Sequence, residues 1–150
     1  MTTSPSGRAG SRDMTLFVDT SVWSLALRRD VPPDVPEVAA VMQALASESA
    51  IVSTGLVLQE LLQGFSGPKQ AEALIERFRS LPFVSPDRAD HIAAAQLRNT
   101  CRKRGVQVGT IDALLAQLCI RHELTLLSTD RDFRDIARVE PRLQLWGHGA

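Results

Sequence analysis

Short apolar runs alternate along the chain with longer stretches in which apolar residues recur every three or four positions. The short runs have the length of strands and lie at 16–18, 50–53, 83–84, 124–128 and 142–146. The longer stretches are typical of amphipathic helices. Strands that alternate with helices predict an α/β protein with three layers, α/β/α, around a mostly parallel sheet of about five strands.

Six segments have the helical pattern. They span 22–29, 38–46, 55–63, 68–80, 86–104 and 111–122. In the last of them, Ile111, Leu114, Leu115, Leu118 and Cys119 are predicted to face the core. Residues 1–13 lack an aliphatic run and are predicted to be a disordered tail, which makes Met14 an alternative start to Met1. The folded domain is expected over 14–146, with a short tail at 147–150.

Composition restricts the class of protein. The chain has 150 residues, 44% of them hydrophobic, which suits a single globular domain. Two cysteines without a zinc-binding spacing indicate a reducing compartment, and we expect the protein in the cytoplasm. The sequence contains neither a signal peptide nor a run long enough to span a membrane, so no membrane association is expected.

The net charge is zero, which by itself argues against a nucleic-acid partner. The charges are unevenly distributed, however, because residues 76–105 contain seven basic and three acidic side chains. A basic surface can therefore coexist with an acidic site elsewhere in the chain.

Three carboxylates stand alone in apolar sequence. Asp19, Glu60 and Asp112 are the single ionisable residues of 14–27, 49–68 and 105–120. An acid among core residues loses several kcal/mol of hydration unless it is paired or binds a metal. We therefore expect a compensating group near all three.

Placement along the chain predicts that these acids converge. Asp19 ends the first strand and Asp130 follows the fourth, and ligands of parallel sheets bind beyond the carboxyl ends of strands. Asp112 lies in the first turn of its helix, where the helix dipole favours an anion. Carboxylates about 5 Å apart repel by about 3 kcal/mol at an effective dielectric constant of 20, and a hard divalent cation removes that repulsion. Oxygen-only ligation favours Mg²⁺ or Mn²⁺ and metal-assisted hydrolysis of a phosphate ester.

The segments LFVDTSVW, LQELLQGF and GTIDALLAQLCIRHELTLLSTDRDF, in this order and spacing, resemble the PIN domain, and specifically VapC-type ribonuclease toxins of bacterial toxin–antitoxin pairs. The likeness covers about 14–146. It implies a five-stranded parallel sheet, a Mg²⁺ or Mn²⁺ site and hydrolysis of single-stranded RNA to a 5′-phosphate and a 3′-hydroxyl. It also implies a homodimer and a cognate VapB-like antitoxin.

Carried over position by position, the resemblance implies four catalytic acids: Asp19, Glu60, Asp112 and Asp130. The three aspartates are implied as metal ligands, and Glu60 as a further ligand or as the group that polarises the attacking water. Asp132 is an alternative to Asp130 or a supporting group. The hydroxyls of Thr20 and Ser21 are placed to orient Asp19 or a water on the cation.

A basic cluster ends the long helix: Arg98, Arg102, Lys103 and Arg104. These side chains either track RNA phosphates or complement the negative end of the helix dipole. Neither alternative indicates which RNA sequence is cut.

Two other functions are alternatives to the nuclease. A haloacid-dehalogenase-type phosphatase also has an aspartate after its first strand, but its second acid would stand where this chain has Ser21. A non-catalytic regulatory module of the receiver type needs an aspartate after the third strand, where this chain has Ser85, and a late lysine.

Overall fold

The computed structural model describes residues 14–27, 34–46, 50–65 and 67–147. The predicted tail at 1–13, the end of the first predicted helix and most of the tail at 147–150 lie outside the described residues.

Four parallel strands form one sheet in the order β2-β1-β3-β4. The strands are β1 (Leu16–Val18), β2 (Ile51–Val52), β3 (Thr125–Leu127) and β4 (Gln144–Leu145). The central pair is in register from Leu16 opposite Thr125 to Val18 opposite Leu127. The predicted parallel sheet is confirmed, with four strands among the described residues instead of about five.

The predicted strand at 83–84 is reduced to a single bridge. Phe83 bridges Ser53 in parallel, the Ser53 amide donates to the Pro82 carbonyl at 3.0 Å, and the Val84 amide donates to the Ser53 carbonyl at 2.9 Å. Pro82 and Pro86 flank this segment and lack the N–H that a longer ladder needs. A fifth strand therefore begins at the edge of β2 but does not extend.

Seven helices surround the sheet in the described part of the chain. They are α1 (Thr20–Ala26), α2 (Pro36–Ala46), α3 (Gly55–Gly64), α4 (Pro68–Arg79), α5 (Arg88–Lys103), α6 (Thr110–Arg121) and α7 (Asp132–Val139). Six of them match predicted segments, with shifted ends. Helix α7 was not predicted from the sequence, because its two buried residues, Phe133 and Ile136, are separated by charged side chains. None of the described helices is long and apolar enough to cross a membrane.

The core forms between the sheet and two groups of helices, α1–α4 and α5–α7. The helices contact one another within each group. Every residue of β1 and β3 is buried, as expected for central strands covered on both faces. Helix α6 is buried over much of its circumference. Ile111 is an exception to the prediction, because it is 37% exposed in the first turn of α6.

Helices α5 and α6 are joined by a buried acid that the sequence analysis overlooked. Asp90 and Asp87 cap the start of α5 reciprocally, each side chain accepting from the other's amide at 2.9–3.0 Å. The Asp90 carboxylate is fully buried. It also accepts hydrogen bonds from Nε of Arg121 at 2.8 Å and from the side-chain amide of Gln117 at 3.3 Å. Burial raises the pKa of Asp90, but these hydrogen bonds and the guanidinium charge outweigh burial and hold the pKa below its ordinary value.

Replacing Asp90 by Asn should lower the free energy of unfolding by about 2 kcal/mol at neutral pH, because a charge-assisted buried hydrogen bond is lost. Since the pKa of Asp90 is depressed in the folded chain, its contribution is present above the pKa of the unfolded group and is lost as the pH falls. The difference between wild type and variant should therefore shrink below about pH 4. Urea denaturation at several pH values measures both effects.

The control is Glu76→Gln, which breaks the exposed pair of Glu76 and Arg79 on α4. That change should alter the free energy of unfolding by less than about 0.5 kcal/mol. Equal losses in the two variants would contradict the structural role of Asp90.

Candidate active site

Asp19 follows β1 directly and is the N-cap of α1. Its carboxylate is buried and accepts three hydrogen bonds: Ser21 Oγ and the Val22 amide donate to Oδ1 at 2.6 and 3.3 Å, and Ser128 Oγ donates to Oδ2 at 2.6 Å. Burial raises the pKa of Asp19 more than these bonds lower it, and the charge of Asp130 adds to the rise. The site thus begins with a carboxylate whose two oxygens are already held in place.

The loop after β3 is tied to the loop after β1 by hydroxyl groups. Ser128 Oγ, which donates to Asp19, also accepts from the Asp130 amide at 2.9 Å. Ser21 Oγ accepts from the amide and the hydroxyl of Thr129 at 3.3 and 3.0 Å. These contacts bring Asp130 to the edge of the sheet where Asp19 lies.

Three carboxylates cluster beside this junction. Asp112, Asp130 and Asp132 each offer one oxygen, and the three oxygens lie within 4.8 Å of one another. The Asp132 amide donates to Oδ1 of Asp130 at 2.9 Å, which fixes the two acids relative to each other at the start of α7. The donors are all hard oxygens, as Mg²⁺ and Mn²⁺ prefer, so the residues present fit such an ion.

Asp112 experiences the repulsion of the other acids. It is half-buried in the first turn of α6, and its pKa is raised to about 6. Burial is the largest cause, followed by the negative charges of Asp130, Asp132, Asp19 and Glu60. All five acids therefore act on the same cleft at the carboxyl ends of β1 and β3.

Glu60 lies in α3 and differs from the expectation in one respect. Its side chain is exposed, so the expected desolvation cost is wrong for this acid, whereas it holds for buried Asp19. Thr20 Oγ1 donates to Glu60 Oε1 at 2.7 Å and links the start of α1 to α3. The apolar neighbours of Glu60 in sequence do not surround it because the helix turns Val57 and Leu61 inward and Glu60 outward.

All of the acids named from the sequence lie around one cleft, but the three whose oxygens are close together are not the three that were expected to bind the metal. The group of three contains Asp132, which the sequence analysis offered as an alternative to Asp130, and omits Asp19 and Glu60. The hydroxyls predicted to support the site donate hydrogen bonds to carboxylates: Thr20 to Glu60 and Ser21 to Asp19. Ser128 was missed, although its place directly after a predicted strand, two residues before Asp130, was a usable signal.

The basic cluster on α5 has structural partners of its own. Arg98 Nε donates to the Val108 carbonyl at 2.7 Å and connects α5 to the segment before α6. Arg102 donates to the Asn99 side chain at 2.9 Å, and Lys103 and Arg104 are exposed. Contact of these four residues with RNA stays a prediction.

Fold and site together define a parallel α/β domain with an acidic cleft at the carboxyl ends of its two central strands. A family model described as PIN domain matches residues 16–139. The chain therefore belongs to the PIN domain family.

Known proteins resemble the chain over most of its length. "VapC ribonuclease Mb1587" of Mycobacterium bovis and "Ribonuclease VapC11" of Mycobacterium tuberculosis are each 30% identical over 126 residues, which cover 83% of this chain and 92% of the relative. The crystal structure of VapBC2 from Rickettsia felis bound to a promoter DNA fragment has a chain with a TM-score of 0.68 and 21% identity, covering 88% of this chain and 97% of that one. The structural likeness shows a shared fold.

Asp112→Asn should make the metal-free protein more stable, because it removes a half-buried negative charge that four neighbouring acids also repel. The pKa of Asp112 is about 6 in the folded chain against an ordinary 3.8, so ionisation destabilises the folded state as the pH rises between these values. The gain should be absent below about pH 4 and reach about 1–3 kcal/mol at pH 7 to 8. Urea denaturation in chelator measures the gain.

Asp34→Asn, at an exposed position before α2, is the matched control for loss of a carboxylate. Asp19→Asn is a less direct test, since Asp19 accepts three hydrogen bonds that an amide cannot all reproduce. A lower unfolding free energy of Asp112→Asn at pH 8 would show that the acids do not repel as the geometry indicates.

Asp132→Asn should weaken Mn²⁺ binding by about 10-fold or more, because Asp132 supplies one oxygen of the group of three. The matched control is Asp135→Asn, one turn further along α7, where the carboxylate pairs with Arg138 instead. Calorimetric titration with Mn²⁺ compares the two variants. Equal affinities of Asp132→Asn and Asp135→Asn would remove Asp132 from the site.

Proposed function

We propose that this protein is a metal-dependent endoribonuclease that hydrolyses phosphodiester bonds of single-stranded RNA, and that it acts as the toxin of a toxin–antitoxin pair. The observation that carries the proposal is the cluster of Asp112, Asp130 and Asp132, with one oxygen of each within 4.8 Å of the others. Support comes from membership of the PIN domain family and from relatives named as VapC ribonucleases.

In this proposal Asp112, Asp130 and Asp132 hold Mg²⁺ or Mn²⁺. Such a cation, when bound, favours ionisation of water and stabilises negative charge on the phosphate and the leaving oxygen. Three carboxylate ligands would leave coordination positions for waters and for a substrate phosphate, as Mg²⁺ commonly has.

The two remaining acids have different roles: Asp19 helps to position the cation, and Glu60 transfers a proton. Asp19 is fixed by Ser21 and Ser128, so it presents a rigid negative charge that helps to retain the cation beside the junction of the two loops. Glu60 is exposed and oriented by Thr20. We assign Glu60 the role of the general base that takes a proton from the attacking water, because an exposed carboxylate can exchange protons with solvent.

The two alternatives have less support. Where a haloacid-dehalogenase-type phosphatase would need its second acid, Ser21 instead donates its hydroxyl to Asp19. A purely regulatory module would not need three converging carboxylates with such a donor geometry, and the family match over 16–139 favours a nuclease.

The proposed function involves a second copy of the chain and an antitoxin. The protein is proposed to act in the cytoplasm as a homodimer and to be inhibited by a VapB-like antitoxin, since the Rickettsia felis neighbour is a VapBC2 complex. The nuclease domain is proposed to span 14–146, with the tails 1–13 and 147–150 outside it.

Purified protein with Mn²⁺ should cut a 5′-labelled single-stranded RNA and leave 5′-phosphate ends, and chelator should stop the reaction. Asp112→Asn and Asp130→Asn should lower the rate by ~100-fold or more, since even outer changes around a metal cost 10–100-fold. Denaturing gels measure the cleavage rate.

Glu76→Gln, which changes an exposed carboxylate on α4, is the control and should cut like the wild type. Cleavage that persists in chelator, or that is equal in all variants, would contradict the nuclease. Release of phosphate from a small monoester instead would indicate the phosphatase.

A further inference from the structure

A groove with a volume of about 810 Å³ runs beside β4, the strand at the edge of the sheet. Its wall is formed in part by Arg134 and Arg138 of α7 and by Trp146 after β4. The lining contains these two arginines and, among the described residues, no carboxylate. A polyanion therefore fits this groove better than an acidic or purely apolar partner does.

The groove continues a basic face of α7. Arg131, Arg134 and Arg138 follow at spacings of three and four, which places them on one side of a helix, and all three are exposed. Arg138 pairs with Asp135, whereas Arg131 and Arg134 have no ion pair within the described part of the chain. Two of the three guanidinium groups are thus free of an internal ion pair and can contact a ligand.

The same short helix begins in the acidic cluster. Asp132 is the first residue of α7 and belongs to the group of three carboxylates. At 1.5 Å per helical residue, Arg138 lies about 9 Å further along the axis. Stacked nucleotides rise about 3.4 Å each, so about three nucleotides cover the distance from the acidic cluster to Arg138.

Trp146 adds an aromatic surface to the cations. Its side chain is partly exposed and lines the groove, and its backbone amide donates to the Leu126 carbonyl at 2.9 Å, which fixes its position against β3. Cations beside an accessible aromatic face are a combination by which proteins hold single-stranded nucleic acid, through phosphate contacts and base stacking. The Trp146 side chain packs against the core and leaves part of its surface accessible.

We propose that this groove binds the single-stranded RNA next to the scissile phosphate, with one phosphate on Arg134 in the groove, another on Arg131 just before α7, and a base against Trp146. The inference rests on the proposed nuclease function and adds the path of the substrate. It places the main RNA contacts on α7, in contrast to the predicted cluster at the end of α5.

Tryptophan fluorescence provides a direct test, because the chain has two tryptophans and Trp23 is fully buried. A 12-nucleotide oligouridine RNA should quench the full-length wild type in chelator, where the proposed nuclease does not cut. Trp146→Phe should lose the quenching but bind within twofold of the wild type by anisotropy of labelled RNA, since phenylalanine keeps an aromatic face.

Arg134→Gln should weaken RNA binding about fivefold at low salt and reduce the slope of log affinity against log salt by about 0.7, the value for one phosphate contact with a single strand. With Mn²⁺, it should raise KM by a similar factor and change kcat by less than twofold, because Arg134 is outside the group of three carboxylates. Lys69→Gln removes an equal charge from an exposed position on α4 and should match the wild type.

The outcomes separate the two proposals. Wild type that cuts RNA, together with Arg134→Gln that binds and cuts like Lys69→Gln, would overturn the groove and leave the nuclease intact. Wild type that neither binds nor cuts RNA would overturn both. Quenching that depends on protein concentration without RNA would make the groove a contact between copies of the chain and overturn its role in binding RNA.

Discussion

The register of β1 against β3 is the constraint on which the candidate site depends. Val18 pairs with Leu127, so the next residues, Asp19 and Ser128, leave the sheet side by side and form a hydrogen bond of 2.6 Å. A slip of one residue would turn one of them to the other face of the sheet. Since both strands are buried throughout, the apolar core fixes the register and, through it, the position of the acids.

Two aspartates show how this protein treats buried negative charge in opposite ways. Asp90 is surrounded by donors and by Arg121, and its pKa lies below the ordinary value. The pKa of Asp112 is raised to about 6 by burial and by four neighbouring acids. The fold compensates the first charge internally and uses it to join α5 to α6. Among the described residues, no cationic side chain forms an ion pair with the second charge, so the acidic cleft, and not Asp90, has the character of a binding site.

Local features of the sequence predicted much of the fold and part of the site. Apolar runs located β1 and β3, and Asp19 was predicted where a strand gives way to a helix. Features that depend on distant parts of the chain were not accessible: the order of the strands, and hence the contact of Ser128 with Asp19, is set by packing. The isolation of Glu60 in sequence was misleading because a helix turns neighbouring residues to different sides. Helix α7 was missed since its charged residues obscure an apolar face of few residues.

Helix α7 shows how a chain of zero net charge can carry an acidic and a basic surface side by side. This helix of eight residues begins with Asp132, in the acidic cluster, and carries Arg134 and Arg138 into the groove beside β4. Phe133 and Ile136 bury its inner face, so the acid and the cations are held on one rigid element. In the proposed function, RNA held by the arginines extends along the helix toward the carboxylates, where a divalent cation would offset the negative charge. The proposed cation site and the proposed RNA groove therefore share α7, although the summed charge of the chain is zero.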